Sequence, residues 1–286
     1  MIENPTLLIL VVLYKRNLDQ SETWKSLENA MEYLNPKSKI LVFDNSPKPL
    51  SGKDQIAISI MRFKTAYFHN PENMSLAKIY NSVLSEAGCY DFLLLLDQDS
   101  SFNIDFFGTF FKANINHPKI DLFLPYVKSG RTIVSPGLWL GFKGKYWDCL
   151  KTGIVESRNL TAIASGMCIR TSYLVDTFKG FDEFFQLYGI DTFFMIEFAK
   201  QRQEVFVLNY ELGHDLSDYS ETNLENRLTR FRDFSRSTIL LTDKNNALRV
   251  KAIFYLYYKG IKISLKYNDY RFALPFLKEN NDKQSV

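Results

Sequence analysis

Phe92-Leu93-Leu94-Leu95-Leu96 runs without a break into Asp97-Gln98-Asp99-Ser100, and this junction decides the fold. Five large apolar residues without alternation fit a strand buried on both faces, the pattern of a parallel sheet covered by helices. The polar residues that follow at once mark its carboxyl end. Two other runs read the same way: Leu7–Leu13 ends at Tyr14-Lys15-Arg16, and Ile40–Phe43 ends at Asp44-Asn45-Ser46. Around them, Gln20–Leu34, Ser75–Ala87 and Asn103–Asn114 carry apolar residues at helical spacing. The first half is therefore expected to be a series of βα units around a mostly parallel sheet.

From Asp121 to Arg170 the pattern breaks into short strands and glycine-bearing loops, among them Ser135-Pro136-Gly137 and Gly141-Phe142-Lys143-Gly144, which predicts an antiparallel insertion. A helix over Asp191–Gln201, a strand at Val205–Leu208 and two long helices over Asn223–Lys244 and Ala247–Tyr267 complete the pattern. The expected organisation is one α/β domain over residues 1–220, in halves of about 1–120 and 121–220, with a helical extension over 221–286.

With 286 residues, of which 46 % are apolar, the chain can bury a sizeable core. No window offers the ~18 uncharged apolar residues that a spanning helix needs. The start, Met1–Thr6, lacks the basic flank of a secretory signal. Cys89, Cys149 and Cys168 are odd in number and widely spaced, so neither a disulfide framework nor a CxxC metal site is indicated. The reducing cytoplasm is the expected compartment. A formal charge of +3 makes no case for nucleic acid.

In an open α/β sheet, ligands bind outside the carboxyl ends of the strands, so the clusters at Tyr14–Arg16, Asp44–Ser46 and Asp97–Ser100 are expected to converge on one crevice. No glycine precedes Gly52, which excludes a dinucleotide fingerprint or a P-loop at the first turn. A divalent cation, Mn²⁺ or Mg²⁺, held by Asp97 and Asp99 is the alternative way to handle phosphate. Asp44 can accept from the N3–H of uracil or thymine, or can serve as a turn aspartate.

Val11-Val12-Leu13-Tyr14-Lys15-Arg16, Val42-Phe43-Asp44-Asn45-Ser46, Asn73 with Asn81, and Leu95-Leu96-Asp97-Gln98-Asp99-Ser100, in that order, resemble family 2 glycosyltransferases. Asp-Gln-Asp-Ser is similar to the rhamnosyltransferase-like branch. The likeness continues through Ala164-Ser165-Gly166-Met167, Gly180-Phe181-Asp182-Glu183-Phe184-Phe185 and Asp191, over roughly residues 6–240.

The resemblance implies a GT-A fold, with nucleotide binding in the first half and acceptor binding in the second. It implies donor contacts from Tyr14, Lys15, Arg16, Asp44, Asn73, Asn81, Asp97, Gln98 and Gly166, the last allowing close approach of the donor sugar. It also implies metal or diphosphate contacts from Asp97, Asp99 and His214, and a catalytic base at Asp191. Thr192-Phe193-Phe194 follows Asp191 where relatives carry another acid, and Ser75 stands where glycine is usual, so Asp182 and Glu183 stay open as bases and a helix cap stays open for Asp191.

The implied reaction is inverting transfer of one sugar from a nucleotide-sugar to an acceptor glycan of a bacterial surface polysaccharide, the donor being dTDP-rhamnose or a UDP-hexose. A nucleotidyltransferase would need the glycine-rich loop that is missing, and a non-catalytic glycan-binding subunit of the same fold is the remaining alternative. Lys251, Lys259, Lys262 and Lys266 share one sector of the last helix. This basic face is either solvated, an oligomer contact, or a peripheral contact with the inner face of the membrane, where a lipid-linked acceptor would reside.

Overall fold

The computed structural model describes residues 3–59, 63–214, 223–274 and 276. Strands and helices alternate from the start: β1 (Leu7–Leu13), α1 (Glu22–Ala30), β2 (Lys39–Asp44), α2 (Gly52–Ser59), β3 (Lys64–His69), α3 (Leu76–Ala87) and β4 (Phe92–Asp97). A two-residue strand, β5 (Ser100–Ser101), leads into α4 (Ile104–Asn116). Strands β3, β2, β1 and β4 lie side by side in that order, all parallel. Every residue of β1 is buried, as its unbroken apolar sequence requires.

Helices α1 and α4 cover one face of this sheet. Trp24, Leu27 and Ala30 of α1 and Phe106, Phe107 and Phe110 of α4 pack with Leu7, Ile9, Val11 and Leu13, the residues of β1 that share one side. Phe110 meets Phe92 of β4 edge-on at 5.0 Å, so α4 is keyed to the strand that carries Asp97. Ser21 caps α1 by accepting from Trp24 N, and Ser75 caps α3 by accepting from Lys78 N.

Beyond α4 come β6 (Leu122–Ser129), β7 (Thr132–Trp139), β8 (Gly144–Trp147), β9 (Gly153–Glu156), β10 (Leu160–Thr161) and β11 (Cys168–Arg170). They are followed by α5 (Thr171–Asp176), α6 (Ile190–Gln201), β12 (Glu204–Glu211) and β13 (Gly213–His214). Strand β11 inserts antiparallel between β4 and β6, and β7, β8 and β10 extend the sheet as antiparallel neighbours. Strand β12 returns parallel to β6, and β13 pairs separately with β5. The parallel strands and the antiparallel insertion are as the sequence predicts. Strand β3 and helix α2 are not: Phe68 of β3 is exposed and α2 buries only Ile58, so neither leaves a periodic apolar signal.

Two compact bodies divide the chain. The first holds the chain up to Trp139, then Gly144–Gln186 and the stretch from Ile190 to His214; the second holds Leu140–Lys143, Leu187–Gly189 and the C-terminal helices. The expected boundary at 220/221 lies outside the described residues. In the second body α7 (Leu224–Thr242) and α8 (Asn246–Tyr267) start at asparagine caps, Asn223 and Asn245. Its core is Leu228, Phe231 and Phe272. Asp233 of α7 accepts from the backbone N–H groups of Leu187 and Tyr188 at 3.2 and 3.0 Å, tying that short segment to the helix.

Candidate active site

Register brings the polar strand ends together. Leu13 pairs with Asp44 and Val12 with Asp97, so the carboxyl ends of β2, β1 and β4 are level neighbours. The turn after β4 is braced from α1: the Thr23 hydroxyl donates to the Asp97 carbonyl and accepts from Ser100 N at 2.9 Å, and Ser21 Oγ donates to the Gln98 carbonyl at 2.8 Å. Asp97 N donates to Ser165 Oγ at 3.1 Å. Gln98 Oε1 accepts from Tyr14 N at 2.8 Å, and Lys15 N donates to Ser46 Oγ at 2.7 Å. Three loops are thus linked side by side, and Lys15 adopts the left-handed region, φ +53°, between them.

Asp97, Asp99 and His214 form one group. Each offers a ligand atom, and all three atoms lie within 4.8 Å of one another. His214 arrives through the pairing of β13 with β5, and Gly213 is the condition for it: a Cβ there would lie 2.0 Å from Ser101 Oγ. His214 Nδ1 faces Asp99 Oδ1 at 3.3 Å, and that buried ring nitrogen completes no hydrogen bond among the described residues. Two carboxylates beside a buried imidazole nitrogen fit a divalent cation, a donor set that suits Mn²⁺ and, through the carboxylates, Mg²⁺.

Asp191 stands near this group. Helix α6 begins at Ile190, after Gly189 at φ +82°, so Asp191 lies inside the first turn rather than at the cap. Its Oδ1 accepts from Thr192 N at 2.7 Å. Burial raises its pKa to about 6, against the lowering effect of that hydrogen bond. Asp97 is also lifted to about 6, first by burial and then by the charges of Asp99 and Asp191, with His214 acting in the opposite sense. Tyr80 of α3 is buried close enough to both Asp97 and Asp191 for their charges, added to burial, to hold its hydroxyl protonated well above the usual range.

A cavity of about 490 Å³ opens beside the same strand ends, lined by Lys15, Arg16, Lys48, Asp44, Ser46 and Leu50 among others. Three cations at its rim suit phosphate. Asp44 itself is fully buried; Oδ1 accepts from Ser46 N, and Oδ2 from Leu50 N at 3.0 Å and the Tyr67 hydroxyl at 2.7 Å. Its carboxylate shapes the Ser46–Leu50 wall, the turn alternative raised above. Lys48 is a cavity residue that sequence reading passed over, although it follows Asp44 in the polar cluster Ser46-Pro47-Lys48-Pro49.

Other expected donor contacts are engaged within the protein. Asn81 clamps Phe181, accepting from its N–H at 2.7 Å and donating to its carbonyl at 2.8 Å, and Gly180 at φ +99° passes close over the same amide. That clamp fixes the loop bearing Asp182 and Glu183. Asn73, at φ +52°, accepts from Asn45 Nδ2 at 3.1 Å. Gly166 has a packing reason to be glycine: at φ +85° a Cβ would meet Pro125 at 2.5 Å and Leu212 at 2.9 Å. Asp182 Oδ1 accepts from Phe184 N at 3.0 Å, and Glu183 is exposed and receives Asn81 Nδ2 at 3.3 Å. Asp182 is half-buried like Asp191, whereas Glu183 is exposed, and it is Asp191 whose carboxyl burial lifts to about 6.

Among solved structures the chain is similar to GalNAc-T7 with UDP, GalNAc and Mn²⁺, at a TM-score of 0.58 and 12 % identity over 75 % of this chain and 44 % of that one. It is similar to S. aureus TarS 1-349 in complex with UDP-GlcNAc, at 0.54 and 15 % over 87 % and 71 %. A third is the mannosyltransferase PcManGT from Pyrobaculum calidifontis in complex with GDP-Man and Mn²⁺, at 0.55 and 10 % over 96 % and 86 %. The chain has the GT-A fold. No protein-family model and no curated protein matches the sequence. The chain spans less than half the length of GalNAc-T7 and of the longer TarS chain it matches. Within its GT-A fold, the Asp97–Asp99–His214 group and the basic cavity both lie at the carboxyl edge of the parallel strands.

Proposed function

We propose that this chain is a metal-dependent, inverting glycosyltransferase that moves one sugar from a nucleotide-sugar to an acceptor glycan. The observation that carries the reading is the Asp97–Asp99–His214 group at the strand ends of a GT-A fold, with Asp191 near it. The similar structures support the donor class, since they hold UDP with GalNAc, UDP-GlcNAc and GDP-Man.

A divalent cation bound by Asp97, Asp99 and His214 would offset the negative charge that collects on the departing nucleoside diphosphate. Lys15, Arg16 and Lys48 meet the phosphates and ribose from the cavity rim, and Asp44 keeps the Ser46–Leu50 wall in the shape the base lies against. Asp191 takes the proton of the acceptor hydroxyl as that oxygen attacks the anomeric carbon from the face opposite the diphosphate. The bond from the sugar to the diphosphate breaks with its electron pair leaving on the diphosphate oxygen. A carboxylate lifted to about 6 is ionised at neutral pH, yet more basic than an exposed aspartate. Burial supplies that tuning.

The sequence resemblance favours dTDP-rhamnose and a bacterial surface polysaccharide; a UDP-hexose donor uses the same chemistry. A thermal-shift panel of dTDP-rhamnose, UDP-hexoses and GDP-mannose, each with and without Mn²⁺, tests the reading, because a ligand that binds only the folded state raises apparent stability. One donor is expected to stabilise the protein in the presence of Mn²⁺. Turnover of that donor separates the enzyme from a glycan-binding subunit, and no shift with any donor would overturn the proposal.

A further inference from the structure

Helix α8 carries two apolar faces. One is the face its own body needs: Ala252 and Leu256 are fully buried, and Gly260 lets the Phe272 carbonyl come within 2.2 Å of where a Cβ would be. At ~100° per residue, Val250, Phe254, Tyr258, Ile261 and Leu265 fall within an arc of about 80° on another side. All five are exposed, Phe254 at 72 % and Leu265 at 79 %. Lys251, Lys262 and Lys266 occupy the adjoining arc of about 60°, and the residues of α8 include no aspartate or glutamate. Lys259, the fourth lysine of the sector, lies 3.9 Å over the Phe234 ring instead.

A row of large apolar side chains along four turns of a helix is more than scattered surface hydrophobicity. What covers it is decided by charge. A second copy pairing through the same face would bring lysine against lysine with no acid on the helix to neutralise either. An anionic lipid surface satisfies both arcs at once: the rings and branched chains enter the acyl boundary while the lysines meet the headgroups. No helix among the described residues is long and apolar enough to cross a membrane, so the contact is in the plane of the surface.

We infer that the exposed face of α8, from Val250 to Leu265, docks this chain on membranes rich in anionic phospholipid. The inference is independent of the transfer chemistry proposed above.

Flotation of the full chain with vesicles of phosphatidylcholine alone, or of equal parts phosphatidylcholine and phosphatidylglycerol, tests it. Binding is expected only to the anionic vesicles, and to fall as salt is raised. The triple variant Lys251→Gln, Lys262→Gln, Lys266→Gln should lower partitioning about a hundredfold, from the loss of three surface-directed charges. The double variant Phe254→Ala, Leu265→Ala should lower it at least about tenfold. Both sets change exposed side chains, and matching melting curves would show that the fold is kept. Wild-type protein left behind by anionic vesicles, or both variants binding as wild type does, would overturn the inference. So would a dimer in light scattering that the double variant abolishes without any vesicle binding, which would assign the face to a second copy.

Discussion

Asp191→Asn is the substitution in which stability and catalysis should move in opposite directions. The native state holds this carboxyl at a pKa of about 6, against an ordinary 3.8, chiefly through burial. Between those values the folded chain binds the proton more tightly than the unfolded chain does. The stability Asp191 contributes is therefore full below pH ~4 and is lost as pH rises through ~6. A difference of roughly 2 pH units at 1.36 kcal/mol each makes the ionised carboxylate cost about 3 kcal/mol above neutrality, as an upper bound. Asparagine carries no charge and its Oδ1 can still accept from Thr192 N. In metal-free buffer the variant should thus be about 1–3 kcal/mol more stable than wild type at pH 7.5, a gain of several degrees in Tm, and nearly equal to it at pH 4. Transfer should fall at least ~10²-fold while donor affinity stays unchanged. Denaturation at the two pH values, donor titration by calorimetry and a transfer assay on one preparation supply all the readings. Equal stability at both pH values would refute the desolvated carboxylate. Near-normal transfer would move the base to Asp182 or Glu183.

Asp99→Asn should abolish turnover and weaken Mn²⁺ affinity by at least ~10-fold, with the melting curve preserved; an unchanged metal response in a calcein-competition assay would remove Asp99 from the metal group. Gly213→Ala places a methyl 2.0 Å from Ser101 Oγ and 3.3 Å from Ser101 Cβ and its carbonyl oxygen, so even with the hydroxyl turned away β13 should shift on β5 and move His214 relative to Asp99. Mn²⁺ affinity should then fall ~10-fold or more while the main sheet survives, and wild-type affinity would show that the histidine is dispensable. Tyr67→Phe removes one of three donors to the buried Asp44 carboxylate and should cost about 1.5–3 kcal/mol of stability and weaken nucleotide binding, read by urea denaturation and calorimetry. Loss of kcat at saturating donor with unchanged nucleotide Kd would contradict the wall role given to Asp44.

The parallel half of the sheet was legible because its strands are buried on both faces: Leu7–Leu13 and Phe92–Leu96 are unbroken apolar runs, short for a helix and closed by polar turns. The candidate metal group was legible in part for the same reason, since Asp97 and Asp99 stand in a turn directly after such a strand. His214 could be named from its motif, but its meeting with Asp99 depends on Gly213 fitting beside Ser101, a long-range contact that no local pattern encodes. Tyr80 reads as one more apolar position of α3, and only packing reveals that it sits by two carboxylates. Asn81 shows the opposite limit. Its residue type fits a ligand contact, and only the fold shows its amide clamping Phe181, a hundred residues further along the chain.

The most direct test of the central claim is release of nucleoside diphosphate from a panel of nucleotide sugars, measured with Mn²⁺ and again with a chelator, for wild type and Asp99→Asn. Wild type should consume one donor with Mn²⁺, and neither the chelated protein nor the variant should consume any. Consumption that survives both chelation and the loss of Asp99, or no consumption of any donor with the metal present, would contradict it.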